Sequence, residues 1–235
     1  MDSALDILAI TGPIYLTIAL GYLLTRQGLF AKADMVLFGK FTLHLALPAL
    51  LFNALSRRSV AEVLNLHYLA AYGLASLTVA LGSYFWARRL QHDGPGLACV
   101  KAMGMACPNS GFVGYPIMLL TLGPVAGVAL ALNMVVENLL IIPLLLTIAE
   151  SALAGGRSWS ATLKQTFRNL LSNPLIIAIV SGFLVSLSGF HVPVVISRSV
   201  DLFAGASAVL SLFVIGGSLV GLQLQGQRPK MGQFR

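Results

Sequence analysis

Residues 106–118 read ACPNSGFVGYPIM. Pro108 and Pro116 each lack a backbone N–H, and the ring of each clashes with the preceding turn of a helix. Gly111 and Gly114 weaken the helix further and let another backbone or a ligand approach closely. Asn109 and Ser110 supply neutral hydrogen-bonding groups at the same level. A single proline in a helix gives a kink. Two prolines, two glycines and an Asn–Ser pair within nine residues predict a helix that comes apart. The competing reading is a kinked packing helix whose glycines face a neighbour.

The surroundings of this stretch place the break in lipid. Of 235 residues, 57% are hydrophobic and only 10% charged, with a mean hydropathy of +0.86. A soluble domain carries about 25% charged residues. The fold class is therefore an all-α integral membrane protein. A crossing needs roughly 20 apolar residues, and about seven transmembrane helices are expected, near 5–24, 35–55, 68–87, 97–120, 125–148, 170–187 and 202–224. None shows strand-like alternation. Helix 4 is then the broken one, unwound near the midplane, where open backbone is tolerated only against protein or water. The N–H groups freed at the start of its second half favour an anion. Pro108, Asn109, Ser110, Gly111 and Gly114 are accordingly candidate substrate-binding residues, because interrupted helices mark transport sites.

The net charge of +7 is no nucleic-acid signal in a membrane-spanning chain; its cations record orientation instead. With the N-terminus outside, the cytoplasmic side holds eleven of them and the outer side three: Arg57, Arg58 and Arg198. That bias predicts N-terminus out and C-terminus in. Lys40 and Lys101 lie near the cytoplasmic ends of their spans and are read as snorkelling. Asp2 and Asp6 open the chain without a basic run, so no cleavable leader is expected.

Other polar residues inside the spans are few. Asn133 and Glu137 are four apart and share a helix face. Glu137 is the one acidic residue well inside a span. It is a candidate for proton or sodium coupling, or alternatively a protonated carboxyl bonded to a neighbouring helix. Asn53, beside the kink at Pro48, either lines the same cavity or makes an interhelical hydrogen bond. His44 is read as packing. His67, His92 and His191 have no metal spacing, and Cys99 and Cys107 are read as small core residues. Neither a metal nor a cofactor is expected. No HExxH, aspartate-rich or Ser/His pattern points to an enzyme.

The chain also matches itself. At an offset of 161, PIYLTIALGYLLTRQGLF (13–30) lies over PLIIAIVSGFLVSLSGFH (174–191) without a gap. Pro13 meets Pro174, Gly21 meets Gly182, Gly28 meets Gly189, and Leu51-Phe52 meets Leu212-Phe213. Five spans separate the two starts, so the second copy points the other way through the bilayer, the plan of many secondary transporters. The organisation expected is a first repeat over 1–150, a cytoplasmic connector over 151–169 and an incomplete second repeat over 170–235. Counterparts of spans three to five are missing from the second copy, so a C-terminally truncated ten-span protein is expected.

The stretches LALPALLFNALS, CPNSGFVGYPI and NPLIIAIVSGFL resemble the auxin efflux carrier family. ITGPIYLTIALGYL and LFVIGGSLVG look most like its bacterial malonate carrier branch. The resemblance implies two inverted five-helix repeats, broken helices crossing at the midplane, and elevator-like alternating access. It places the helix-four crossing at Pro108–Gly111, with Asn53 and Asn133 approaching it. The second crossing helix that the family carries has no counterpart here. The function expected is a secondary transporter of small organic anions, malonate or a related dicarboxylate, in the inner membrane. The alternative is an inactive remnant or regulatory membrane protein. Expected partners are the organic anion and membrane lipid, with homodimerisation left open and no nucleic acid.

Overall fold

The computed structural model describes residues 3–59, 65–153, 168 and 171–221. Ten α-helices are present among them: α1 (Ser3–Arg26), α2 (Lys32–Phe41), α3 (Leu47–Ser56), α4 (Leu66–Arg89), α5 (Pro95–Ala106), α6 (Tyr115–Leu122), α7 (Ala126–Val136), α8 (Ile142–Leu153), α9 (Pro174–Ser188) and α10 (Val194–Ser218). Three π turns interrupt them, at Thr42–Ala46, Ser110–Gly114 and Glu137–Ile141. Among the described residues four helical stretches are long and apolar enough to cross a membrane: Lys32–Ser56, Leu66–Arg89, Pro95–Ala149 and Val194–Ser218. The third has 55 residues. At 1.5 Å per residue it exceeds twice the ~30 Å hydrocarbon thickness, and it turns at Gly123, whose φ of +68° suits a residue without a Cβ. Large apolar side chains cover the outside, Leu202 being 80% exposed. Apolar surface on this scale belongs in lipid.

The helix starts follow local chemistry. Asn65 caps α4 by accepting the Tyr68 N–H at 3.0 Å, and Asn173 caps α9 by accepting the Leu175 N–H at 2.9 Å. Pro174 occupies the first turn of α9, where its missing N–H costs nothing. The α9 start therefore falls four residues after the sequence estimate of 170. The last helix differs more. It starts at Val194, after Pro193, and not at 202. Arg198 and Asp201, expected in a connector, lie in its opening turns, and the pairing of Asp201 described below accounts for a carboxylate there. Residues 222–224 of the expected span, and nearly all of the connector 151–169, lie outside the described residues.

Two cores meet at α7. One gathers Leu47, Leu51 and Leu55 of α3 with Tyr115, Leu130 and Ile179. The other packs Ala80, Ala102 and Ala106 against Val136, Ile141 and Leu145. Small residues let helices approach closely, which matters in lipid, where burial of apolar groups gives little net drive and dispersion holds helices together. The closest approaches are at glycines. A Cβ on Gly21 of α1 would stand 2.2 Å from the carbonyl oxygen of Phe213 on α10. A Cβ on Gly182 of α9 would stand 2.9 Å from that of Phe52 on α3. Phe213 follows Phe52 by 161 positions, as Gly182 follows Gly21. Phe30, Phe38 and Phe213 add an edge-to-face cluster with centroids 5.4–6.1 Å apart. At the α4–α5 turn, Lys101 donates to Asp93 at 2.6 Å and to Gln91. The side chain read as snorkelling thus has a carboxylate partner beyond its helix end.

Candidate functional site

The helix that begins at Pro95 stops at Ala106. Cys107 (φ −106°, ψ 94°) and Asn109 (φ −77°, ψ 66°) leave helical geometry on either side of Pro108. The chain resumes as the π turn Ser110–Gly114 and continues into α6. Asn109 holds the new start together. Its side-chain oxygen accepts the Phe112 N–H at 3.2 Å, and its carbonyl accepts those of Val113 and Gly114 at 3.1 and 3.0 Å. The Ser110 N–H turns back to the Pro108 carbonyl at 2.8 Å. Local partners thus take up most of the N–H groups that the sequence reading left open for an anion. What faces outward is the exposed Asn109 amide, whose nitrogen makes no hydrogen bond among the described residues. Pro108 is exposed beside it, and Cys107, like Cys99, is a free thiol.

Behind the break the polar groups are buried and bonded. Ser110 is 5% exposed and Glu137 4%. The Glu137 carboxylate oxygen Oε1 accepts from Ser110 Oγ and from Tyr72 Oη, both at 2.7 Å. One turn earlier, Asn133 Oδ1 accepts from Tyr68 Oη at 2.8 Å. The two tyrosine rings stack, 6.2 Å apart and 11° from parallel. Both bonds span 65 positions, so α4 and the α7 segment run in the same direction. Parallel neighbours imply a reversal of the chain between them, which the turn before α5 and the turn at Gly123 bracket.

Ser110 and Glu137 each open a π turn, and their side chains bond each other. Single π turns within α-helices recur at functional sites. The third, Thr42–Ala46, ends beside Leu47, whose Cδ1 would lie 3.0 Å from a Cβ on Gly111. Gly111 is thus held by close packing, whereas a Cβ on Gly114 would meet an ordinary 3.7 Å contact. The buried Glu137 carboxyl, fixed by two hydroxyls, thus ties Ser110, where the helix resumes behind the break, to Tyr72 of α4.

Asn53 stands elsewhere. Its amide donates to Asp201 of α10 at 2.7 Å, where Arg57 also bonds, and not to any residue of the break. Asn138 bonds back to the Met134 carbonyl of its own helix at 2.9 Å. Sequence reasoning missed Tyr68, Tyr72 and Asp201. The tyrosines had a readable signal: they are four apart, as are Asn133 and Glu137, so one face of each helix carries a matched pair.

The family described as Membrane transport protein matches residues 9–228. A Rhizobium meliloti (strain 1021) protein named "Putative malonate transporter" is 28% identical over 223 residues, 91% of this chain and 67% of that protein. The "Uncharacterized transporter YfdV" of Escherichia coli K12 is 24% identical over 217 residues, covering 88% of this chain and 67% of its own length. An "Uncharacterized transporter" of Methanothermobacter thermautotrophicus is 30% identical over 108 residues, 44% of this chain and 34% of that protein. The chain therefore spans about two thirds of the length of the first and second of these relatives. With a break in a membrane-length helical stretch and a match running nearly end to end, this multi-pass chain belongs to the Membrane transport protein family.

Proposed function

We propose that the protein carries small organic anions, malonate or a related dicarboxylate, across the inner membrane by alternating access. The observation that carries this reading is the break at Cys107–Asn109, backed by a buried, doubly bonded carboxyl on the adjoining helix. The outward Asn109 amide is the donor it offers a carboxylate. Pro108, Ser110, Gly111 and Gly114 shape the gap, and Asn133 fixes α4 through Tyr68. A carboxylate bound there lies near Glu137. Like charges repel strongly in a poorly polarisable interior, so binding of the anion and of a proton at Glu137 favour each other. That makes proton symport the coupling we favour over sodium.

The reciprocal contacts Gly21–Phe213 and Gly182–Phe52 support the inverted-repeat plan with seven crossings in this chain, because exchanging the two copies turns one contact into the other. The relative named for malonate supports the substrate class. The test is uptake of labelled malonate by proteoliposomes containing the 235-residue chain. Saturable uptake stimulated by an inward proton gradient is expected. Asn109→Ala is expected to reduce it at least tenfold, since a lost hydrogen bond to a charged group is worth about 1.5–3 kcal/mol. Uptake no greater than from empty vesicles would overturn the reading, and wild-type uptake by the alanine variant would remove Asn109 from the site.

The charge bias of the connectors supports an N-terminus outside and a C-terminus in the cytoplasm. A cysteine replacing Ser59, in a chain otherwise lacking cysteine, is expected to react with impermeant maleimide on intact cells. One replacing Ser158 is expected to react only after permeabilisation. The opposite pattern reverses the orientation.

A further inference from the structure

We infer that the ground around Arg57 is an anion-loading vestibule, where a carboxylate of the solute takes the place of Asp201 on the guanidinium. Asp201 is held there by short bonds. Its Oδ1 accepts from Asn53 Nδ2 and its two oxygens from Arg57 Nη2, all at 2.7 Å. The same Nη2 also donates to Ser197 Oγ at 2.8 Å. Every bond of the guanidinium therefore runs through one nitrogen. Nη1 and Nε make none among the described residues, which leaves two nitrogens of the fork, with three N–H groups, for a second acceptor. Arginine recognises carboxylates by paired, parallel N–H bonds, and the Asp201 pairing does not use that geometry. The pair is also half-exposed, at 50% and 45% for the two side chains. An ion pair so open to solvent holds its partner weakly, so a soluble carboxylate can displace it.

Space and charge agree with this chemistry. Two clefts of about 470 and 580 Å³ flank the pair, and Asn53, Arg57 and Arg58 line both. One adds His191; the other holds Asp201 and extends to Tyr115 and Leu119 on α6, the segment that follows the break. The unused N–H groups of Arg57 face these clefts with positive edges, and positive potential in a cleft raises the local concentration of an anion. The interhelical bond of Asn53, one of the two readings its sequence position left open, then has a role: it steadies Asp201 and releases it when the solute arrives. That the vestibule feeds transport rests on the carrier reading; that it binds a carboxylate does not.

The test needs no transport. Ser56 lines the smaller cleft. Ser56→Cys, in a full chain carrying Cys99→Ala and Cys107→Ala and reconstituted in nanodiscs, is reacted with an anionic and a cationic methanethiosulfonate. The anionic reagent is expected to react faster, relative to a small free thiol, by about threefold or more. Malonate is expected to slow that reaction. Arg57→Gln is expected to abolish both the preference and the protection. Asp201→Asn, which removes the competing carboxylate, is expected to strengthen protection and serves where the arginine variant fails to fold. Protection matched by chloride at equal ionic strength, or unchanged in both variants, would overturn the inference. Protection without malonate uptake sinks the carrier reading and leaves the vestibule standing; uptake without protection does the reverse.

Discussion

Gly216→Ala is expected to break the contact between α1 and α10 and to cost the protein most of its folded yield. A Cβ at 216 would stand 1.9 Å from the Ile18 carbonyl oxygen, 2.8 Å from its carbon and 2.9 Å from the Tyr22 nitrogen. All three are backbone atoms, so no side chain can rotate away. Carbon–oxygen contacts settle near 3.3–3.6 Å, so the helices must part by roughly an ångström or more. Parting them weakens every van der Waals pair along the interface, including the close approach at Gly21. Over-packing costs 1–3 kcal/mol where a core can adjust. Two helix backbones cannot adjust, so about 3 kcal/mol or more is expected, read as a lower melting temperature in detergent and a smaller monodisperse peak. Gly12→Ala in α1 and Gly205→Ala in α10 are matched controls, with nothing within 4 Å of either Cβ. Both should be neutral or slightly stabilising, because alanine favours helix over glycine. If Gly216→Ala melted with these controls, the close approach of α1 and α10 would not exist in the membrane.

Legibility in the sequence followed the range of each interaction. Helices in lipid are signalled by apolar length alone, so the helical stretches before the last were placed to within about five residues of their ends. The break was legible because proline and glycine act on their own backbone: Pro108 and Asn109 stand where helical geometry is lost. The start of α10 was misread because Arg198 and Asp201 look like connector residues until Arg57, 144 positions earlier, is seen across from Asp201. Tyr72 was passed over for a similar reason, since its acceptor lies 65 positions away. The π turns had no composition of their own; Glu137–Ile141 reads as ordinary helix. Asn109 was read as a donor to solute, and the structure shows it serving its own chain first, a local competition that asparagine commonly wins.

Glu137→Gln should leave the fold intact and flatten the pH dependence of uptake, while Glu137→Ala should remove uptake altogether. The argument turns on what each variant keeps. Glutamine retains a side-chain oxygen to accept from Tyr72 and Ser110, as Oε1 does at 2.7 Å from both. It loses only the negative charge, and so resembles the protonated carboxyl. If anion binding at the break favours a proton on Glu137, wild-type uptake rises as the external pH falls. The glutamine variant then works near neutral pH at about the wild-type acidic rate and gains nothing further from acid. Net accumulation driven by a proton gradient disappears, because no proton is carried. Alanine instead strands the buried Ser110 hydroxyl, at about 1–3 kcal/mol for an unsatisfied group, and leaves the half-buried Tyr72 hydroxyl without its acceptor, so the resumed helix loses its anchor. Rates across a pH series in proteoliposomes, with melting temperatures of both variants, separate the roles. A glutamine variant that keeps the wild-type pH profile and still accumulates malonate against a gradient would reduce Glu137 to a hydrogen-bond acceptor that holds α4, the break and α7 together.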